Sequence, residues 1–171
     1  MIRFCCSLLL LIPLAASAQS LRGTATVVDG DTLQINGVEV RLHALDAPEL
    51  NQTCLDADGA EWACGQAAKQ ALVDLVEGKQ VRCRRAVYDR LYIGDCRSNG
   101  KRLSPHLLAE GWAVIDRSGS RRYVAFEGDA RRASKNIWAG SFEKPWVWRK
   151  HQDKDAAPVF YPMLDERSIA P

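Results

Sequence analysis

The stretch VVDGDTLQINGVEVRLHALDAPE, residues 27–49, decides how the rest of the chain is read. Threonine and valine dominate the start of this region, GTATVV from Gly23, and favour a strand. The tight turn Asp29-Gly30-Asp31 interrupts it, and TLQI resumes the β pattern. Asn36-Gly37 is a strong hairpin signal, because a two-residue type I′ turn requires two positive φ angles. Along VEVRL, Val38, Val40 and Leu42 share one face and Glu39 and Arg41 the other. With the aliphatic face turned to a core, Arg41 lies on the outward face, where it can meet a ligand.

Downstream, His43 to Gly65 reads as a loop carrying Pro48 and two cysteines. Gln66 to Glu77 has the apolar stripe of a helix, through Ala67, Ala71, Leu72, Leu75 and Val76, with Gly78 as a stop. KQVRCRR and LYIGDC pair as strands around a short connection at Tyr88-Asp89-Arg90. A second Asn-Gly turn, Asn99-Gly100, leads to Ser104-Pro105, read as an N-cap followed by a first-turn proline, and that helix ends at Gly111. WAVI forms a last strand, Tyr123 to Lys135 a final helix, and the chain after Trp148 turns polar as an extended tail. Short antiparallel strands with helices between and after them suggest an α+β fold, a small barrel of the oligonucleotide-binding type.

The N-terminus predicts export from the cytoplasm. Arg3, the apolar run around Leu8 to Leu14 and Ala16-Ser17-Ala18 have the three parts of a secretory signal peptide, residues 1–18, with cleavage before Gln19. The apolar run falls short of the roughly 18–20 residues that span a bilayer, so no membrane association is expected after cleavage. Loss of Arg3 leaves 22 basic and 21 acidic residues, which is no bulk signature of nucleic-acid binding. About 150 residues suit one domain with a hydrophobic core, and the aliphatic content excludes a disordered chain. The expected division is a domain over 19–150 and a tail over 151–171.

Cys54, Cys64, Cys83 and Cys96 survive cleavage, an even count that reads as disulfides in an exported chain. Of three possible connectivities, Cys54–Cys64 and Cys83–Cys96 are favoured, the first closing a loop and the second straddling a hairpin. Zinc is disfavoured: there is no Cys-x-x-Cys pair, and His43, His106 and His151 do not cluster with the thiols in sequence.

Phosphodiester hydrolysis requires a cation on the phosphate, a base or water-positioning group, and donors aimed at the equatorial oxygens. Asp29, Asp31, Arg41, Asp46 and Glu49 supply those residue types within a short span. Carboxylates and carbonyls without imidazole or thiolate select a hard ion, and calcium suits a flexible loop in an exported protein better than magnesium does. The 27–49 block resembles the opening motif of the staphylococcal nuclease (thermonuclease) family in order, spacing and residue type. The likeness continues through Tyr88-Asp89-Arg90, Gly111-Trp112-Ala113 and Asn136-Ile137-Trp138, and spans roughly Gly23 to Trp148.

The resemblance implies a five-stranded barrel with about three helices, and calcium-dependent cleavage of DNA and RNA on the 5′-oxygen side to leave 3′-phosphates. Asp31 and Asp46 match the family's calcium carboxylates, and Ala47 a residue contributing its backbone carbonyl. Glu49 matches the glutamate that activates or positions water, Arg41 and Arg90 the two phosphate-gripping arginines, and Tyr88 a tyrosine near a terminal phosphate. Two departures stand out: Asp89 replaces the usual glycine before the second arginine, and Asp116 to Arg122 lacks the tyrosines that surround the base.

Each of these residues taken alone has a plainer reading as a turn-former or a solvated side chain. Taken together in order, they favour a metal and phosphate site. The basic stretch Arg82, Arg84, Arg85, Arg97, Lys101 and Arg102 suits a phosphate-tracking strand face and a solvated face equally well. Trp138, Trp146 and Trp148 read as packing residues rather than base-stacking platforms. The function expected is a monomeric nuclease in the periplasm or medium of a bacterium; the alternatives are a non-catalytic nucleic-acid-binding module on the same barrel and a disulfide-bonded structural domain.

Overall fold

The computed structural model describes residues 20–88, 91–116 and 121–152, with backbone alone at 85–88 and 91. Residues 1–19 (the expected signal peptide among them), Asp89 and Arg90, positions 117–120 and the residues from 153 onward lie outside the described residues. In chain order the strands β1 (Ser20–Val27), β2 (Thr32–Ile35), β3 (Val38–Leu42), β4 (Leu45–Asp46), β5 (Cys54–Leu55) and β6 (Glu61–Trp62) precede helix α1 (Cys64–Val76). Then follow β7 (Gln80–Tyr88), β8 (Leu91–Ser98), β9 (Lys101–Arg102), α2 (Leu103–Ala109), β10 (Val114–Ile115), α3 (Val124–Arg132) and α4 (Pro145–Gln152).

Antiparallel pairing runs β3-β2-β1-β7-β8, and a parallel contact of β3 with β8 closes the five strands into an oligonucleotide-binding barrel. The seam is short, pairing Arg41 with Ile93 and Leu42 with Gly94. Gly94 permits it, since a Cβ there would stand 2.6 Å from Val40 Cγ1. Both Asn-Gly hairpins form as the sequence requires: Asn36 and Gly37 have φ of 51° and 77°, and Asn99 and Gly100 of 46° and 80°. The first fixes the register Ile35 with Val38, which turns Leu33, Ile35, Val40 and Leu42 into the core and leaves Arg41 outside.

The helices cover the barrel. Ala68, Leu72 and Val76 of α1 and Leu103, Leu107 and Leu108 of α2 are buried in the same core as the barrel strands. Burial of such side chains at about 1.5–3 kcal/mol each supplies the main driving force. The expected helices are all present, with shifted ends. Helix α2 starts at Leu103 with Arg102 in the cap position, so Ser104 lies inside the first turn and does not cap it. Its hydroxyl is buried and has no hydrogen-bond partner among the described residues. A 3-10 turn, Arg121–Tyr123, leads into α3, which stops at Arg132. Helix α4, where a polar tail was expected soon after Trp148, starts on Pro145 and makes four α-helices among the described residues. Proline is well suited to a first helical turn because its missing N–H has no partner there anyway.

Both favoured disulfides are formed. Cys83 and Cys96 are directly opposed across β7 and β8 with Cα atoms 4.0 Å apart. Cys54–Cys64 spans 5.7 Å and ties the loop after β4 to the start of α1. It belongs to a second, smaller cluster with Val114 and Ile137, against which Trp62, Trp138, Phe142 and Trp146 pack. Trp138 and Trp146 are thus packing residues.

Close backbone approach fixes the loop between β4 and α1. A Cβ on Gly65 would sit 1.7 Å from the Glu49 carbonyl oxygen. Gly65→Ala forces that backbone apart, and is expected to cost about 1–3 kcal/mol in urea denaturation, in line with overpacked sites; an unchanged midpoint would show that the loop has room to move.

Candidate active site

The turn between β1 and β2 brings Asp31 inward. Asp29 Oδ1 accepts the Asp31 N–H at 2.9 Å, an Asx-type turn that aspartate favours. Gly30 is required there because a Cβ would stand 2.7 Å from Ala47 Cβ and 3.1 Å from Ala68 Cβ. The turn is therefore pressed against both the β4 loop and α1. Asp31 also anchors the barrel seam through its carbonyl, which accepts the Leu42 N–H at 2.8 Å.

Asp46 arrives from the other side. Ala44 adopts a φ of 70°, a conformation rarely taken by residues with a Cβ, and redirects the chain from β3 into β4. Pairing of β4 with β10, Asp46 opposite Val114, then holds the Asp46 backbone. Both carboxylates are buried, with Asp31 6% and Asp46 2% exposed. Arg41 joins them: its Nη2 donates to Asp31 Oδ2 at 3.1 Å and to Asp46 Oδ1 at 2.6 Å. Thr32 Oγ1 donates to Asp31 Oδ1 at 2.8 Å, and the Ala47 N–H to Asp31 Oδ2 at 3.3 Å.

Glu49 lies at the edge of this pair, its backbone N–H donating to the side-chain oxygen of Gln52 at 3.1 Å. Gln52 is fully buried and its amide donates to the Glu143 carbonyl at 2.7 Å. A residue that sequence reading missed completes the site. Arg149 of α4 grips Asp46 with two nitrogens, at 2.9 and 2.8 Å, and also donates to Glu49. Asp29, Asp31, Thr32, Glu39, Arg41, Glu49 and Arg149 line one cleft of about 280 Å3.

Of the sequence-predicted residues, the structure brings together Asp31, Arg41, Asp46, Ala47 and Glu49. Tyr88 ends β7, and its side chain, like Arg90, lies outside what the structure describes. The signal for Arg149 was present but weak: Trp146 and Arg149 are three apart behind a first-turn proline, which places them on one helical face. No spacing rule links that face to a carboxylate about 100 positions upstream.

Burial raises the Asp31 carboxyl from its ordinary 3.8 to about 6; Arg41 opposes this, while Asp29 and Asp46 add repulsion. Burial alone would lower the Arg41 pKa, but Asp31 and Asp46 outweigh it and hold the guanidinium more firmly protonated than usual. Hydrogen bonding to Asp46 and Glu49 does the same for Arg149, against a smaller effect of burial. Asp29, Asp31, Asp46 and Glu49 outnumber the two guanidiniums, Arg41 and Arg149, so the carboxylates are not fully neutralised by the arginines. The donor chemistry fits a hard divalent ion, because two carboxylates reach the same guanidinium nitrogen and no thiol or imidazole is among them. Among the described residues no group of three or more His, Cys, Asp or Glu side chains forms a closed cage, so such an ion would also draw on carbonyl and water oxygens.

A closed oligonucleotide-binding barrel with a carboxylate–arginine cleft beside its seam defines the class of protein. The chain belongs to the staphylococcal nuclease family, whose description "Staphylococcal nuclease homologue" matches residues 39–140. It is 37% identical over 129 residues to the succinoglycan biosynthesis protein ExoI of Rhizobium meliloti, covering 72% of this chain and 68% of that one. It is 32% identical over 131 residues to the probable staphylococcal-like nuclease CAN2 of Oryza sativa subsp. japonica, covering 71% of this chain and 32% of the rice protein. An uncharacterized endonuclease of Haemophilus influenzae is 28% identical over 159 residues, covering 85% of this chain and 84% of its own. The chain thus spans about a third of the rice relative.

The raised Asp31 pKa has a measurable consequence. The folded state favours protonated Asp31, so its contribution to stability is fully present below about pH 4 and is lost as pH rises through 6. Asp31→Asn, which mimics the protonated form, is expected to stabilise the protein at pH 7 in chelator by on the order of 1–3 kcal/mol, with the difference closing towards pH 4. Thermal melts across that range check it; a destabilised variant at pH 7 would mean that the lost Arg41 contact outweighs burial.

Proposed function

We propose that this protein is an exported calcium-dependent nuclease that hydrolyses phosphodiester bonds of DNA, RNA or both on the 5′-oxygen side, leaving 3′-phosphates. The observation that carries this reading is the convergence of Asp31, Asp46 and Arg41 through one guanidinium nitrogen, with Glu49 on the same cleft. Family membership and the nuclease names of its relatives support the reaction class. The two disulfides support an oxidising compartment, as the expected signal peptide does. No described helix is long and apolar enough to cross a membrane.

Asp31 and Asp46, with the Ala47 carbonyl, are the groups to hold the calcium ion, which when bound supplies positive charge for the phosphate oxygens. Arg41 is part exposed while still tied to both carboxylates, so its free N–H groups can reach a phosphate at the cleft mouth. Glu49 is accessible from the cleft and accepts hydrogen bonds, as a water-positioning or proton-accepting carboxylate must. Arg90 is assigned the second phosphate contact and the leaving oxygen, and Tyr88 a terminal phosphate, by resemblance. The shallow cleft favours single-stranded or locally opened substrate, and the protein acts as a monomer.

Digestion of single-stranded DNA by the purified mature protein, with calcium and then with chelator, tests the reading. Cleavage with calcium alone and products bearing 3′-phosphates are expected. Binding without any cleavage at high enzyme concentration would instead establish a nucleic-acid-binding module. Glu49→Gln is expected to lower kcat by about 10²–10⁴-fold with unchanged circular dichroism, the range for loss of a general base. Arg90→Ala should fall comparably, and full activity in either variant would refute its assigned role.

A further inference from the structure

We infer that Arg149 is a positioning residue of the active site: it sets the Glu49 carboxylate and competes with the divalent cation for Asp46. The inference deepens the nuclease reading and rests on it. Arg149 lies beyond the 39–140 family match, on a helix that the family likeness does not assign to the site.

Three observations place α4 as a built wall of the cleft. The segment before it is fastened to the catalytic loop: Leu55 and Ser141 exchange backbone hydrogen bonds at 2.8 and 3.1 Å, and buried Gln52 links the Glu49 N–H to the Glu143 carbonyl. Gly140 passes so close to this loop that a Cβ would stand 2.1 Å from the Leu55 carbonyl. The helix itself is seated by buried Pro145 and by Trp146, which packs on the Cys54–Cys64 cluster, while Lys144 lies 4.6 Å over the Trp138 ring. Trp146 and Arg149 share a helical face, so docking of the tryptophan points the arginine into the cleft.

The hydrogen-bond pattern then defines the role. Arg149 uses one nitrogen for both Asp46 Oδ1 and Glu49, and the other for Asp46 Oδ2. Only a planar fork makes this bridge, since a lysine ammonium is a point charge. Glu49 is thereby held on the side of the cleft where Asp46 sits, rather than swinging freely at the mouth. Both Asp46 oxygens accept from Arg149, and Oδ1 also from Arg41, so a cation binding Asp46 must displace or share with Arg149.

Arg149→Gln and Arg149→Lys, checked for fold by circular dichroism, test this. With single-stranded DNA and calcium, Arg149→Gln is expected to lower kcat by about 10–100-fold with KM within about threefold, as loss of orientation does. Arg149→Lys should recover only a minor part. Calcium titration by calorimetry without substrate should show the Gln variant binding about three- to tenfold tighter, because a charge-assisted competitor is gone. A raised KM with kcat kept would make Arg149 a substrate contact and overturn the inference, as would weaker calcium binding, which marks a merely structural role, or no change in either constant. If the wild-type protein does not cleave, the nuclease reading fails by itself. The calorimetric arm still decides whether Arg149 competes for Asp46.

Discussion

Two carboxylates buried within reach of one arginine nitrogen organise this molecule. Asp31 comes from the turn between β1 and β2, Asp46 from β4, and Arg41 from β3. Burying the Asp31 charge opposes folding, as its raised pKa shows. Both carboxylates persist because Arg41, Arg149, Thr32 and the Ala47 amide satisfy them. Structure near the site follows from that constraint: the glycine that lets the DGD turn press on Ala47, the left-handed Ala44, and the β4–β10 pair that fixes the Asp46 backbone.

The barrel supplies rigidity where the site needs it. Its closing seam is only two residue pairs long and includes Arg41, so the residue that bridges the carboxylates is also one that closes the barrel. A disulfide between opposed residues of β7 and β8 lies close by, with Cys96 Sγ 3.1 Å from where a Gly94 Cβ would stand. The second disulfide performs a separate task. It pins the loop carrying Glu49 to α1 and provides the apolar bed on which Trp146 seats α4. Two stapled layers, one core and one lid-like, therefore converge on a single cleft.

The cleft differs from a simple cation hole in the arrangement of its positive charge. Two guanidiniums already neutralise part of the carboxylate cluster, and both are held protonated by those carboxylates. In the proposed reading, the balance between arginine and divalent ion at Asp46 is a property of the whole C-terminal segment. Changes at Gln52, Gly140 or Trp146, none of which lines the cleft, would be felt at the site through α4.

Local chemistry in the sequence determined a great deal. Asn36-Gly37 and Asn99-Gly100 have the positive φ angles that type I′ turns demand, and the alternation of VEVRL put Arg41 on the outer face. Cysteine count and strand pairing indicated both bridges, and the ordered 27–49 block indicated the family. These signals are short-range, set by φ, ψ and side-chain period. Tertiary structure alone decided the parallel β3–β8 seam, the burial of Asp31 and Asp46, and the arrival of Arg149 in the cleft. Each depends on segments distant in sequence meeting through packing, and Arg149 meets Asp46 across 103 positions because Trp146 finds a bed built by a disulfide. Helix periodicity could place Arg149 on the face of Trp146, but only the docked helix could show that this face looks onto the carboxylates.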